Sequence, residues 1–133
     1  MKYSIQEHYQ KLAQQYDDFW GTSSDFIDFL TQAIILNLQL KSTDILVDLG
    51  CGTGIYSKAI ASQISLENKI ICVDPSDKML EKIPSNNNYQ TLVKDAVEFA
   101  HEQGKYDKIL IKEMIHHIND KEKLLQGLFD RLN

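Results

Sequence analysis

Apolar and polar positions divide the chain into two textures. From Ser4 to Tyr16 the segment is largely polar, with Ile5, Tyr9, Leu12 and Tyr16 on one helical face, which predicts an amphipathic helix. Gly21 ends that pattern, and Ser23 or Ser24 can cap a second helix running to about Leu40. There Phe26, Ile27, Leu30, Ile34 and Leu38 recur at helical spacing. Beyond Leu40 the apolar runs become short and continuous. Asp44–Leu49, Lys69–Asp74, Tyr89–Val93 and Tyr106–Glu113 read as four strands, the first of them a buried parallel one. Helices are expected between and after them: from about Ile55 to Ile64, from Pro75 and Ser76 to about Ile83, from Ala96 to about Glu102, and from an Asn119 or Asp120 cap to the end. Strands alternating with helices imply right-handed crossovers and a parallel sheet. The predicted class is therefore α/β, with about four strands and flanking helices in a single domain. Residues 1–42 form its helical entry and 43–133 its core.

Composition narrows the function more than the fold. A chain of 133 residues suffices for one compact domain and is too short for two. A formal charge of −5 offers no electrostatic footprint for a phosphate backbone, so nucleic acid is not an expected partner. No apolar run reaches the roughly 18 residues a membrane span needs. The longest aliphatic stretch, Ala33 to Leu40, is interrupted by Asn37 and Gln39. Met1 to Ser4 leads into a polar segment without the apolar centre of a secretion signal, so a soluble cytoplasmic protein without a membrane partner is expected. Cys51 and Cys72 fall in or beside core strands and read as reduced, small apolar residues. The histidines are scattered, and His116 and His117 are adjacent, a spacing poor for two ligands on one helical face, so no metal site is expected.

The chemistry concentrates where the first strand meets its helix. Gly50, Gly52 and Gly54 let the backbone turn tightly and leave a ligand room to approach. The following helix offers free N–H groups at its start. Asp74 stands twenty positions beyond Gly54, at the carboxyl end of the second strand, where doubly wound folds place a carboxylate for ribose hydroxyls. It also precedes Pro75 and can cap the next helix, and both roles are compatible. The loop departs from the dinucleotide fingerprint, which would require glycine or alanine at Ile55, and it lacks the Gly-Lys-Ser/Thr ending of a P-loop.

The run Asp48-Leu49-Gly50-Cys51-Gly52-Thr53-Gly54 resembles the first motif of class I S-adenosylmethionine-dependent methyltransferases, a Rossmann-like family. The resemblance continues in Val73-Asp74-Pro75-Ser76, in Val93-Lys94-Asp95-Ala96, and from Tyr106-Asp107 to His116-His117-Ile118. It reaches back to Tyr16-Asp17-Asp18-Phe19-Trp20. These motifs follow the family's order along nearly the whole chain. The resemblance implies S-adenosylmethionine as cofactor and S-adenosylhomocysteine as product. It also implies that the loop backbone wraps the methionine part, with Asp48 and the Cys51 carbonyl holding its ammonium group. Asp74, beside Pro75, would take the ribose hydroxyls, Asp95 the adenine amino group, and the Ala96 N–H a ring nitrogen. Asp95 also fits an ordinary helix cap. Lys112 or Glu113 would lie near the reactive methyl, or be solvated charges at a strand end. Tyr16 or Trp20 would close over the cofactor or pack in the core. No side chain has a claim to act as catalytic base.

The family's fold has seven strands, whereas this chain stops after the helix that follows the fourth, so the resemblance implies a truncated domain that supplies the cofactor site. The expected function is methyl transfer to a small molecule; alternatives are a cofactor-binding module without turnover and a nicotinamide-dependent oxidoreductase, the last disfavoured by Ile55 and Asp48. An unpaired fourth strand would favour a homodimer through residues 108–112, although Lys108 and Lys112 oppose it.

Overall fold

The computed structural model describes residues 23–102, 104–111 and 121–132. The expected helix at 4–16, Tyr16, Trp20, Lys112, Glu113, His116, His117 and the cap at 119–120 lie outside the described residues. The elements are α1 (Ser23–Leu38), β1 (Leu46–Leu49), α2 (Ile55–Gln63), β2 (Ile70–Asp74), α3 (Asp77–Leu80), β3 (Tyr89–Val93), α4 (Ala96–Ala100), β4 (Lys108–Ile111) and α5 (Lys121–Arg131). All pairings are parallel, in the order β3-β2-β1-β4. The chain thus builds outward from β1 to β3, then returns to β1's other side to lay down β4. That reversal creates a switch point between β1 and β4, where doubly wound sheets bind ligands outside the carboxyl ends of their strands.

Side-chain alternation along the strands explains the three layers. Leu46, Ile70, Cys72 and Leu110 point to one face, where Ile34, Ile35, Leu38 and Leu40 in and just after α1, Ile60 of α2 and Leu80 of α3 cover them. Val47, Leu49, Val73, Ile109 and Ile111 point to the other, against Ala96, Phe99 and Ala100 of α4 and Leu128 of α5. β1 is buried at every position, the signature of a central parallel strand. Ile60 is fully buried, and its truncation to alanine should cost about 2–5 kcal/mol. Phe99 also stacks on Tyr106, with ring centroids 5.4 Å apart, tying α4 to the entry of β4.

Most departures from the sequence reading lie at element ends, and local hydrogen bonds account for several. α1 stops at Leu38 rather than Leu40 because Gln39 adopts a left-handed φ of 51°. The Leu40 N–H then donates back to the Ile35 carbonyl, closing the helix and burying Leu40. β1 begins at Leu46 rather than Asp44, since the Asp44 carboxylate accepts from the Lys41 N–H at 2.8 Å and forms a turn. α3 is shorter than expected: after Leu80 the bonds tighten to i→i−3 at Lys82 and Ile83, just before Pro84. β4 begins at Lys108, with Tyr106 contributing only an isolated bridge to Leu132. Asp107 secures this entry, its carboxylate accepting from the Ile45 N–H while its own N–H donates to the Ile45 carbonyl.

Candidate functional site

β1 ends at Leu49 and the chain turns away over the ends of its neighbours. The Gly50 and Cys51 N–H groups both donate to the Val73 carbonyl, at 2.8 and 3.0 Å, which fastens the loop to the end of β2. The Gly54 N–H then donates to the Cys51 carbonyl at 3.0 Å, closing a tight turn into α2. Two glycines in this loop serve different purposes. Gly52 has φ +58°, and a Cβ built there meets no atom within 4 Å, so its missing side chain opens onto free space. Gly54 has φ +78°, and a Cβ there would lie 2.7 Å from Ile83 Cγ1, so it allows close packing of α2 against the segment after α3.

Asp74 closes the other side of the loop. One carboxylate oxygen accepts from the Gly52 N–H and the other from the Ser76 N–H, each at 2.9 Å. A carboxylate has about four acceptor positions, so lone pairs remain for a ligand on a group whose orientation is already fixed. The Asp74 carbonyl accepts from the Lys94 N–H at 3.1 Å, which holds the exit of β3 beside that of β2. Asp95 follows directly and caps α4, one oxygen accepting from the Glu98 N–H at 2.7 Å. Its helix-cap role is thus realised, and it stands at the same end of the sheet as Asp74. Ala96 opens α4 and is buried, while Pro75 is exposed between Asp74 and Ser76.

Asp48 is the buried charge of the site. It sits in the middle of β1 with only 4% of its surface exposed. Its Oδ2 accepts from the Ser57 hydroxyl at 2.6 Å, and the Cys72 thiol donates to the same hydroxyl oxygen at 3.4 Å. Burial pushes the Asp48 carboxyl up to about 6, the Ser57 hydrogen bond works against that rise, and the nearby Asp74 carboxylate adds to it. Ser57 is the residue that sequence reasoning missed. Its signal was available: positions 57, 60 and 61 of α2 and 64 just past its end follow helical spacing, and a serine among Ile60, Ala61 and Ile64 occupies a core position.

Cys51 and Cys72 are both free thiols. A hydrogen bond to Cys72, burial, and the nearby carboxylates of Asp48 and Asp74 all hold the Cys51 thiol above the usual cysteine range. Among the described residues no group of three or more His, Cys, Asp or Glu side chains is placed to hold a metal ion. A cavity of about 250 Å³ opens at the opposite, amino end of the sheet, lined by Ala61, Gln63, Ile64, Asn68, Ile70 and Asn88 among others. No charged side chain lines it, whereas the loop end of the sheet carries Asp48, Asp74 and Asp95. No helix of the described residues is long and apolar enough to cross a membrane.

A parallel sheet of order 3-2-1-4, a glycine loop after its first strand and a carboxylate at the end of its second make up the arrangement at which doubly wound folds bind nucleotide-type ligands. The chain belongs to the methyltransferase domain family, whose model matches residues 46–133. Over 99% of its length it is 31% identical to malonyl-[acyl-carrier protein] O-methyltransferase 2 of Ilyobacter polytropus, of which it covers 49%. Among solved structures it resembles a protein assigned as a methyltransferase of an antibiotic biosynthesis pathway in Anabaena variabilis, with 29% identity and a TM-score of 0.66. That match covers 77% of this chain and 40% of the other. Coclaurine N-methyltransferase, solved with N-methylheliamine and S-adenosylhomocysteine, shares the fold at a TM-score of 0.71 and 22% identity, over 81% of this chain and 33% of that one. The chain spans about half the length of the curated relatives it matches.

Proposed function

We propose that the crevice over the carboxyl ends of β1, β2 and β3 holds S-adenosylmethionine, and that the domain serves methyl transfer to a small-molecule acceptor. The observation that carries this reading is the Asp74 carboxylate, fixed by Gly52 and Ser76 with acceptor positions to spare, beside a loop whose Gly52 opens onto free space. The residues fit the cofactor's polar parts. Asp74 accepts from ribose hydroxyls, Asp48 from the ammonium group through the acceptor capacity Ser57 leaves, and Asp95 from the adenine amino group. The Ala96 N–H meets a ring nitrogen. The Cys51 carbonyl, already engaged by Gly54, contributes its second lone pair. Ile55 opens α2, Met79 lies in α3 and Val93 ends β3; with 46%, 47% and 58% of their surfaces exposed, they offer apolar surface for a purine and a thioether. Tyr16, Lys112 and Glu113 join this set by resemblance alone.

When bound, the cofactor supplies a methyl carbon activated by a sulfonium leaving group. This chain's residues orient it and exclude water, so that an acceptor placed opposite reacts in line. The coclaurine enzyme's small amine ligand supports a small acceptor. A second reading, a carboxyl group carried on an acyl-carrier protein, has its support in the Ilyobacter relative. Detection of methylated product with small amines, phenols and carrier-bound malonyl groups separates the two; product from none of them contradicts both. We also propose that two copies pair along β4, which predicts a concentration-dependent dimer in sedimentation. A monomer throughout the micromolar range contradicts that pairing.

A further inference from the structure

Asp48 carries a negative charge only at a cost, because it lies in the core end of the site. It is nearly fully buried in the central strand. Its partner in register on β2 is Cys72 and on β4 is Leu110, and neither offers a compensating cation. The titratable groups facing it are Asp74 and Cys72 from β2 and Cys51 from the loop; α2 brings Ser57, with Tyr56 in the adjoining apolar cluster. Asp74 repels a carboxylate, the two thiols carry no positive charge in either protonation state, and none of the three neutralises it. Among the described residues Ser57 alone donates to Asp48, over 2.6 Å, and it is completely buried, so no solvent molecule can take its place without opening the core. The Cys72 thiol donates to the Ser57 oxygen and leaves the serine proton directed at Asp48.

We propose that Ser57 is a positioning residue: it holds Asp48 as the ionised acceptor for the ligand's ammonium group and so sets the pH above which the cofactor binds. The inference rests on the cofactor assignment made above. An ammonium ligand binds the carboxylate and not the carboxylic acid, so binding expels the Asp48 proton whenever the free protein still carries it. Affinity then climbs with pH until Asp48 is ionised in the free protein, near pH 6, and is level above that. Removing the serine hydroxyl takes away a hydrogen bond that favours the charged form and moves the bend upward. A cavity left by the lost oxygen acts differently, lowering affinity alike at every pH.

The test is calorimetric titration of the full chain with S-adenosylhomocysteine between about pH 5 and pH 8. The wild-type protein should show affinity falling up to about tenfold per pH unit below the bend. In Ser57→Ala the bend should move up by about one pH unit. An unmoved bend with a uniform loss overturns the proposal. So does pH-independent affinity of the wild type, which leaves the cofactor assignment intact. Absence of binding at any pH removes the cofactor assignment and this inference with it. Should Ser57→Ala fail to fold, carbon-detected NMR of Asp48 in the wild type decides the matter. Its carboxyl should titrate near pH 6 in the free protein and at least one pH unit lower in the complex; a titration the ligand does not move overturns the proposal.

Discussion

The Asp74 carboxylate and the Gly52 N–H are joined by a 2.9 Å hydrogen bond that ties the last residue of β2 to the middle of the glycine loop. One side chain thereby shapes the loop and presents the acceptor proposed for the ribose. Asp74→Ala should weaken S-adenosylhomocysteine binding by about 1.5–3 kcal/mol, since it removes hydrogen bonds to a charged group. With an analogue lacking both ribose hydroxyls, only the loop effect remains, and the substitution should cost about 1 kcal/mol. Equal losses for the two ligands, measured by calorimetry, contradict the ribose contact.

The two loop glycines should fail in different ways. Gly52→Val directs a branched side chain into the open space beside the loop, at a φ of +58° that such a residue rarely adopts. Binding should be lost in a protein that still folds. Gly54→Ala sets a methyl group 2.7 Å from Ile83 Cγ1 at a φ of +78°, and should lower stability by about 1–3 kcal/mol through overpacking and strain. Thermal unfolding and ligand titration of both variants check the distinction; a Gly52→Val protein that binds as well as wild type contradicts it.

The ligand role proposed for Asp48 works against stability. Its carboxyl titrates at about 6 in the folded chain against 3.8 in the unfolded one, so folding favours the protonated form. That contribution is complete below the unfolded value and is lost as pH rises through the folded one, a difference of about 3 kcal/mol across the window. Asp48→Asn, neutral throughout, should therefore stabilise the ligand-free protein by about 1–3 kcal/mol at neutral pH and have little effect near pH 4. Urea denaturation at the two pH values reads this out. An equal effect at both, or destabilisation at neutral pH, contradicts it.

Cys51 is half-buried with its thiol held above the usual range, and Cys72 is fully buried. Both should alkylate slowly in the native protein at neutral pH, at least about tenfold more slowly than in the unfolded chain. Fast labelling of native Cys51 by iodoacetamide, followed by mass spectrometry, contradicts this picture of the loop.

The strands and their order of appearance were legible because buried parallel strands leave short apolar runs, Leu46–Leu49 broken only by Asp48 and Ile70–Val73 unbroken. The loop and Asp74 were legible because glycines and an acidic residue at that spacing have few other uses. Element ends were not. Gln39 closes α1 in a left-handed conformation without the glycine that usually marks it, and Asp44 spends its carboxylate on a turn that looks like a strand start. The Asp48–Ser57 pair was hidden for a different reason. Nine residues and a reversal of the chain separate the partners, and only the folded loop brings the first turn of α2 back over β1.

The loop, Asp74 and the Asp95–Ala96 corner are proposed to line one cofactor cleft. Amide NMR of the labelled chain titrated with S-adenosylhomocysteine tests it most directly. The cleft assignment requires saturable shifts concentrated at Gly50, Gly52, Asp74 and Ala96, with the Asn68 and Asn88 amides at the far end of the sheet unmoved. Shifts confined to that far end, or none at saturating ligand, would contradict it.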